Sequence, residues 1–200
     1  VTRIHREEKE MRMKSVTFIT AFCASLTALI GCGEGDVGPA QDLGAITVRA
    51  PSAWKAETPA SGMRKAQYRL PKAEGEAGDA ELVVYYFGQG EGGSVEDNLE
   101  RWYGQFQQPD GSASKEKAKV NRRTVAGMPV TSVDVGGTYA PGSMNPMMPH
   151  GPEPRPGYRM LAAIVETAQG PYFFKLTGPE KTVESWRGSF DGFIDRIKKK

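Results

Sequence analysis

The sequence predicts an α+β fold, an antiparallel sheet with helices on both faces, and three observations carry that expectation. Leu82-Val83-Val84-Tyr85-Tyr86-Phe87 runs unbroken and apolar, the mark of a strand buried on both faces. Two pairs of strand-like segments face each other across the short turn signals Ala126-Gly127 and Gln169-Gly170, and links that short make neighbouring strands antiparallel. Two amphipathic helical segments, one before these hairpins and one after, can cover the two faces of such a sheet.

The elements follow in order. Ile46 to Arg49 reads as a short strand stopped by Pro51-Ser52, and Met63 to Leu70 as a second, ended by Pro71. The apolar run Leu82 to Phe87 comes next. Ser94 opens the first helix, with Asp97 three residues on as a capping-box partner. Val95, Leu99, Trp102 and Phe106 fall on one face of that helix. Val120–Val125 pairs with Val130–Val135, and Met160–Glu166 with Tyr172–Leu176. The second helix opens at Gly178-Pro179-Glu180, where proline suits the first turn. Its apolar stripe is Val183, Trp186, Phe190, Phe193, Ile194 and Ile197, and Lys198-Lys199-Lys200 are expected at its C-terminus, where cations are favoured. Gly188 and Gly192 lower its intrinsic propensity, so packing must hold it.

This order of elements, the corner Pro51-Ser52-Ala53-Trp54 and the ending YFFKLTGP before a helix resemble the PsbP-type α/β/α sandwich. The resemblance spans residues 45–198 and lies in pattern rather than in signature motifs. It implies the fold shared by the extrinsic photosystem II protein, a yeast Ran-binding protein and uncharacterised bacterial lipoproteins, the last being the nearest in kind. It carries over no functional residue, because a shared fold does not fix a function.

Upstream lies a different kind of segment. Val1 to Glu10, with Arg3, Arg6, Lys9 and three glutamates, reads as an extension before a start at Met11 or Met13. Met11-Arg12-Met13-Lys14 then forms a basic n-region, followed by an uncharged stretch from Val16 to Ile30, the plan of a secretory signal. Fifteen residues rise only about 22 Å as a helix, against a hydrocarbon core of roughly 30 Å. Leu29-Ile30-Gly31-Cys32 resembles the lipobox of bacterial lipoproteins, which implies cleavage between Gly31 and Cys32 and acylation of Cys32. An uncleaved anchor, or a conventional signal cut near Ala28, is the alternative. The expected organisation is a removed segment 1–31, a lipidated flexible tether 32–44, and a sandwich domain 45–200 with an inserted loop 140–157. The position after the cysteine is Gly33 rather than aspartate, which in enterobacteria favours the outer membrane; the chain is expected on the periplasmic face of the inner or outer membrane.

Charge and cysteine content agree with this organisation. The chain has 26 Lys/Arg and 24 Asp/Glu, and loss of residues 1–31 leaves 21 of each. A neutral mature domain offers no electrostatic footprint for nucleic acid. Of the two cysteines, Cys23 lies in the removed segment and Cys32 is taken by lipid, so the 169-residue mature chain must be stable without a disulfide.

Four further features bear on chemistry. Gly88-Gln89-Gly90-Glu91-Gly92-Gly93 matches GxGxxG between a strand and a helix, yet Glu91 would face the phosphates and no repeated βαβ unit surrounds it. It reads as a glycine-rich connection, and no nucleotide is expected. The segment 140–157, APGSMNPMMPHGPEPRPG, holds six prolines in eighteen residues together with Met144, Met147, Met148 and His150. Thioethers and an imidazole suit Cu(I), so these residues are the candidate metal ligands, against the alternative of packing or partner contact. His150 is the mature chain's only histidine, and no GxSxG, HExxH or CxxC occurs, so no catalytic residue is proposed. Trp102-Tyr103 and Tyr85-Tyr86-Phe87 read as core, and Lys115, Lys117 and Lys119 as an exposed entry to a strand. The sequence therefore predicts a membrane-anchored, non-enzymatic binding or scaffold module without cofactor, partnered by another envelope protein through loops 88–93 and 140–157. The alternative is a copper-binding accessory protein.

Overall fold

A computed structural model describes residues 36–141 and 153–200. In chain order the first elements are β1 (Gln41–Asp42), β2 (Ile46–Val48), β3 (Lys55–Glu57), β4 (Arg64–Leu70), β5 (Ala80–Tyr86), α1 (Val95–Tyr103), β6 (Phe106–Gln107) and α2 (Ser114–Lys117). There follow β7 (Lys119–Val125), β8 (Met128–Tyr139), β9 (Arg155–Val165), β10 (Tyr172–Pro179), α3 (Glu180–Ser185), α4 (Arg187–Asp195) and β11 (Lys198–Lys199). Among the described residues no helix is long and apolar enough to cross a membrane.

The main sheet is antiparallel throughout, in the order β3-β4-β5-β10-β9-β8, with β7 and β6 both paired to the long β8. Helices lie on both faces, as the sequence predicts. Strand alternation divides the core in two. Tyr172, Phe174 and Leu176 of β10 face α3 and α4, with Leu82, Val84, Leu161, Ala163, Val183, Phe190 and Phe193. Phe173 of β10 faces α1 instead, with Val133, Met160, Ala162, Ile164, Leu99 and Trp102.

The corner at Pro51-Ser52-Ala53-Trp54 is where the first core closes. Trp54 packs edge-on to Phe193 at 5.1 Å between ring centroids and against Tyr68 at 5.9 Å. The Tyr68 hydroxyl donates to Gln41 Oε1 at 2.6 Å, and burial pushes its pKa up to about 12. The buried Tyr172 hydroxyl accepts from the Ala45 N–H at 3.1 Å and donates to the Leu43 carbonyl at 2.8 Å, pinning the chain start to the sheet centre.

Several expectations need correction. The tether does not run flexibly to Gly44. From Asp36 it is bonded to the domain: the Asp36 carbonyl accepts from both N–H and hydroxyl of Ser52 at 2.8 Å, and Gly38 N–H donates to Ala50 at 2.8 Å. The inserted loop is shorter than 140–157, because Arg155, Pro156 and Gly157 belong to β9 and Arg155 pairs with Tyr139. Phe106 lies on β6 beyond the end of α1 at Gly104. The second helix breaks at Trp186, whose backbone N–H turns to the Val183 carbonyl three residues back while its indole donates to the Pro71 carbonyl at 2.8 Å. Lys198 and Lys199 cap no helix; they pair with β2 as an extended strand.

Candidate functional site

The face under α1 carries the candidate site, and its centre is Lys175. Period-two alternation on β10 puts Lys175 on the same side as Phe173, where α1 must cover it. Across the sheet it stands between Val83 of β5 and the small Ala162 of β9, which leaves room for its stem. Its Nζ donates to Gln105 Oε1 at 2.5 Å and to the Tyr139 hydroxyl at 3.1 Å, and lies 5.2 Å from the Tyr139 ring centroid. Among the described residues no carboxylate pairs with it. Burial therefore lowers its pKa to about 8 from 10.5, with Glu81 pulling upward and Arg101 pushing further down.

A cavity of about 160 Å³ opens beside this ammonium. Its apolar walls are Tyr85, Phe87, Trp102 and Phe173; its polar walls are Lys175, Arg101, Gln105 and Asn98. Tyr85 and Phe87 stack nearly parallel, 6.1 Å apart at 7°, and Trp102 meets Phe173 edge-on at 6.5 Å. Arg101 projects from the last turn of α1 and Gln105 from the turn just after it, and both line the cavity. Asn98 Oδ1 accepts from the Arg101 guanidinium and so orients it.

The glycine loop belongs to this wall. Gly92 has φ +92°, and a Cβ there would stand 2.9 Å from the Phe173 ring and 3.2 Å from Phe87. Buried Asn98 clamps the same loop by donating to the Gly92 and Ser94 carbonyls at 2.7 Å. The α1 N-terminus is filled by its own cap: Ser94 Oγ accepts from the Asp97 N–H at 3.1 Å, and Asp97 accepts back from Ser94. Gly92 serves here for close approach to two aromatic rings, while the three glycines of the GxGxxG pattern, Gly88, Gly90 and Gly93, hold positive φ values of 115°, 77° and 77° in the turn before α1.

The other residues singled out by the sequence are distributed as follows. Gly31, Cys32, Met144, Met147, Met148 and His150 lie outside the described residues. Among the described residues no group of three or more His, Cys, Asp or Glu is placed to hold a metal ion. Tyr139, the last residue of β8, accepts from Lys175, and Gly92 packs behind the rings of Phe173 and Phe87; the cavity lining itself includes neither Tyr139 nor a residue of the Gly88–Gly93 loop. Lys115 and Lys117 sit on the short helix α2 rather than in a loop, paired with Glu100 at 2.5 Å and Asp110 at 3.0 Å.

A larger cleft of about 420 Å³ lies between β7 and α4. Four of its six charged residues pair: Arg123 with Asp195 at 3.0 Å and Arg187 with Asp134 at 2.8 Å, while Lys119 and Asp191 line it beside them. Asp134 also receives Nε and Nη2 of Arg159 at 2.7 and 2.8 Å, while Arg159 and Arg187 both reach Glu184 at 2.9 Å. Burial alone would raise the Asp134 carboxyl, but hydrogen bonds and charge from Arg159 and then Arg187 hold it below its ordinary value. This network ties β8, β9 and α3–α4 together.

No family model matches the chain, and no curated protein matches it in sequence. Among solved structures it is similar to cyanobacterial PsbP (CyanoP) from Synechocystis, with 13% identity, 86% of this chain and 99% of that chain covered, and a TM-score of 0.47. It is also similar to a Pseudomonas aeruginosa protein of unknown function, with 13% identity, 81% and 96% of the two chains covered, and a TM-score of 0.43.

Proposed function

We propose that this chain is an extracytoplasmic lipoprotein, anchored through acylated Cys32, whose sandwich is a non-enzymatic binding module of the cell envelope. Leu29-Ile30-Gly31-Cys32 at the end of an uncharged run supports the anchoring. The observation that carries the binding role is the Lys175 cavity, where two cations, two amides and four aromatic rings converge. Such a set recognises and orients a ligand; it includes no paired carboxylates and no hydroxyl–imidazole couple for acid–base or nucleophilic work. Gly92 of the loop 88–93 packs against two of its rings.

The anchoring is tested by Cys32→Ser. The variant is expected to lose acyl labelling and to leave the membrane fraction; persistent membrane attachment would mean that the segment is an uncleaved anchor. The binding role is tested by crosslinking the membrane-bound protein in cells, wild type against Arg101→Ala. A partner captured by the first and lost from the second supports it.

A further inference from the structure

The 160 Å³ cavity beside Lys175 is small against the several hundred cubic ångströms that hold a whole drug-sized ligand. It has room for one ring or one side chain, a volume close to that of an engineered cavity that takes benzene. Its walls on one side are flat and aromatic. On the other side stand two cations whose nearby acids are engaged elsewhere. Glu81, on β5, accepts from Gln67 at 2.8 Å and pairs with Arg64 at 3.4 Å. Asp97, one turn before Arg101, is held in the α1 cap. Lys175 keeps one of its three N–H donors beyond those given to Gln105 and Tyr139. Arg101 uses its guanidinium only toward Asn98 among the described residues.

We propose that this cavity binds a carboxylate carried on a small apolar or aromatic body, with the carboxylate on Lys175 and Arg101 and the body between Tyr85, Phe87 and Trp102. The proposal rests on the reading of the domain as a binding module. Partial burial makes each charge-assisted hydrogen bond stronger than at an open surface. The rings supply apolar contact that a bare inorganic anion would not use. A free small acid and the C-terminal carboxylate of a partner protein share this chemistry.

The test follows the lysine Cε and Nζ signals of the full-length chain in detergent by NMR. Benzoate, benzamide, and a short peptide ending in phenylalanine, with free or amidated C-terminus, are the probes. Benzoate or the free-acid peptide is expected to move Lys175 saturably and to raise the pH at which it titrates. Benzamide and the amidated peptide are expected to leave it in place. Tighter binding of the peptide assigns the source to a chain end, and binding of benzoate alone assigns it to a small acid. Arg101→Ala, an exposed position that leaves the core intact, should weaken binding about tenfold by loss of one charge-assisted contact. Lys175 signals unmoved by either acid, or moved equally by the neutral amides, would overturn the proposal. The measurement is independent of Cys32, so failed anchoring and a failed cavity are distinguishable.

Discussion

The two faces of the main sheet are built to different ends. Under α3 and α4, aromatic rings close on one another: Phe193 stands 5.1 Å from Trp54, 5.8 Å from Phe174 and 6.1 Å from Tyr68. Its charged residues gather at one edge and are matched, as in the Asp134 network. Under α1 the helix covers only part of the sheet, and an ammonium without a carboxylate partner lies in the gap. One face is arranged for stability and the other keeps a polar group that stability alone would remove. The difference supports the proposed binding role on the α1 side more than any single residue does.

The largest expected effect lies on the first face. Phe193→Ala should cost about 3–5 kcal/mol, since a fully buried ring is lost from a cluster that cannot collapse around it. Denaturant unfolding measures it, and a cost below about 1 kcal/mol, the scale of an ordinary surface change, would break the contrast. Next comes Asp134→Ala, which leaves Arg159 and Arg187 to share Glu184 and should cost about 2–3 kcal/mol at pH 7. Because the folded carboxyl titrates below its ordinary value of 3.8, its contribution is fully present above that pH and is lost as the pH falls through the folded value. The gap between wild type and variant should therefore narrow in acid; a gap that stays constant as the carboxyl is protonated would deny the ion pair its role.

The smallest effect has the opposite sign. Lys175 has a folded pKa of about 8 against 10.5 for the free side chain, so below pH 8 the fold must hold an unfavourable charge. The stability of the wild type should rise between those two values as the folded form sheds its proton first. Lys175→Met should then be more stable than wild type at pH 7 by on the order of 2 kcal/mol, with no difference above about pH 10.5. A variant that is less stable at pH 7 would mean that Lys175 holds the face together rather than straining it.

Much of this contrast was legible in the sequence. The unbroken run 82–87, the hairpin segment Tyr172–Leu176 and the capping box at Ser94 carry strong signals and form the expected strands and helix, although the first of these strands ends at Tyr86 and Phe87 is exposed rather than core. Short polar strands carry no such signal. Lys55-Ala56-Glu57 is a strand only because it pairs with β4, and Gln41-Asp42 only because it pairs with β2. Arg155-Pro156-Gly157 has loop composition but pairs along β8, so tertiary contact overrode local preference. The helix break at Trp186 follows from an indole bonded to residue 71, which helical periodicity does not encode. Lys175 did leave a trace, a lone cation inside an apolar strand. What the sequence could not supply was its company: Arg101, Gln105, Tyr85 and Tyr139 come from three other parts of the chain and meet only after folding.

The bonding of the chain from Asp36 onward has a consequence for how the protein would stand at a membrane. Four residue steps separate Cys32 from Asp36, a reach of at most about 14 Å even when fully extended. With the proposed acylation, the corner at Pro51 and Ser52 is moored close to the lipid surface. The domain then pivots about one fixed point instead of sweeping a wide hemisphere. Partners approach it from a restricted range of directions, and the mooring sets the height at which the Lys175 cavity is presented to them.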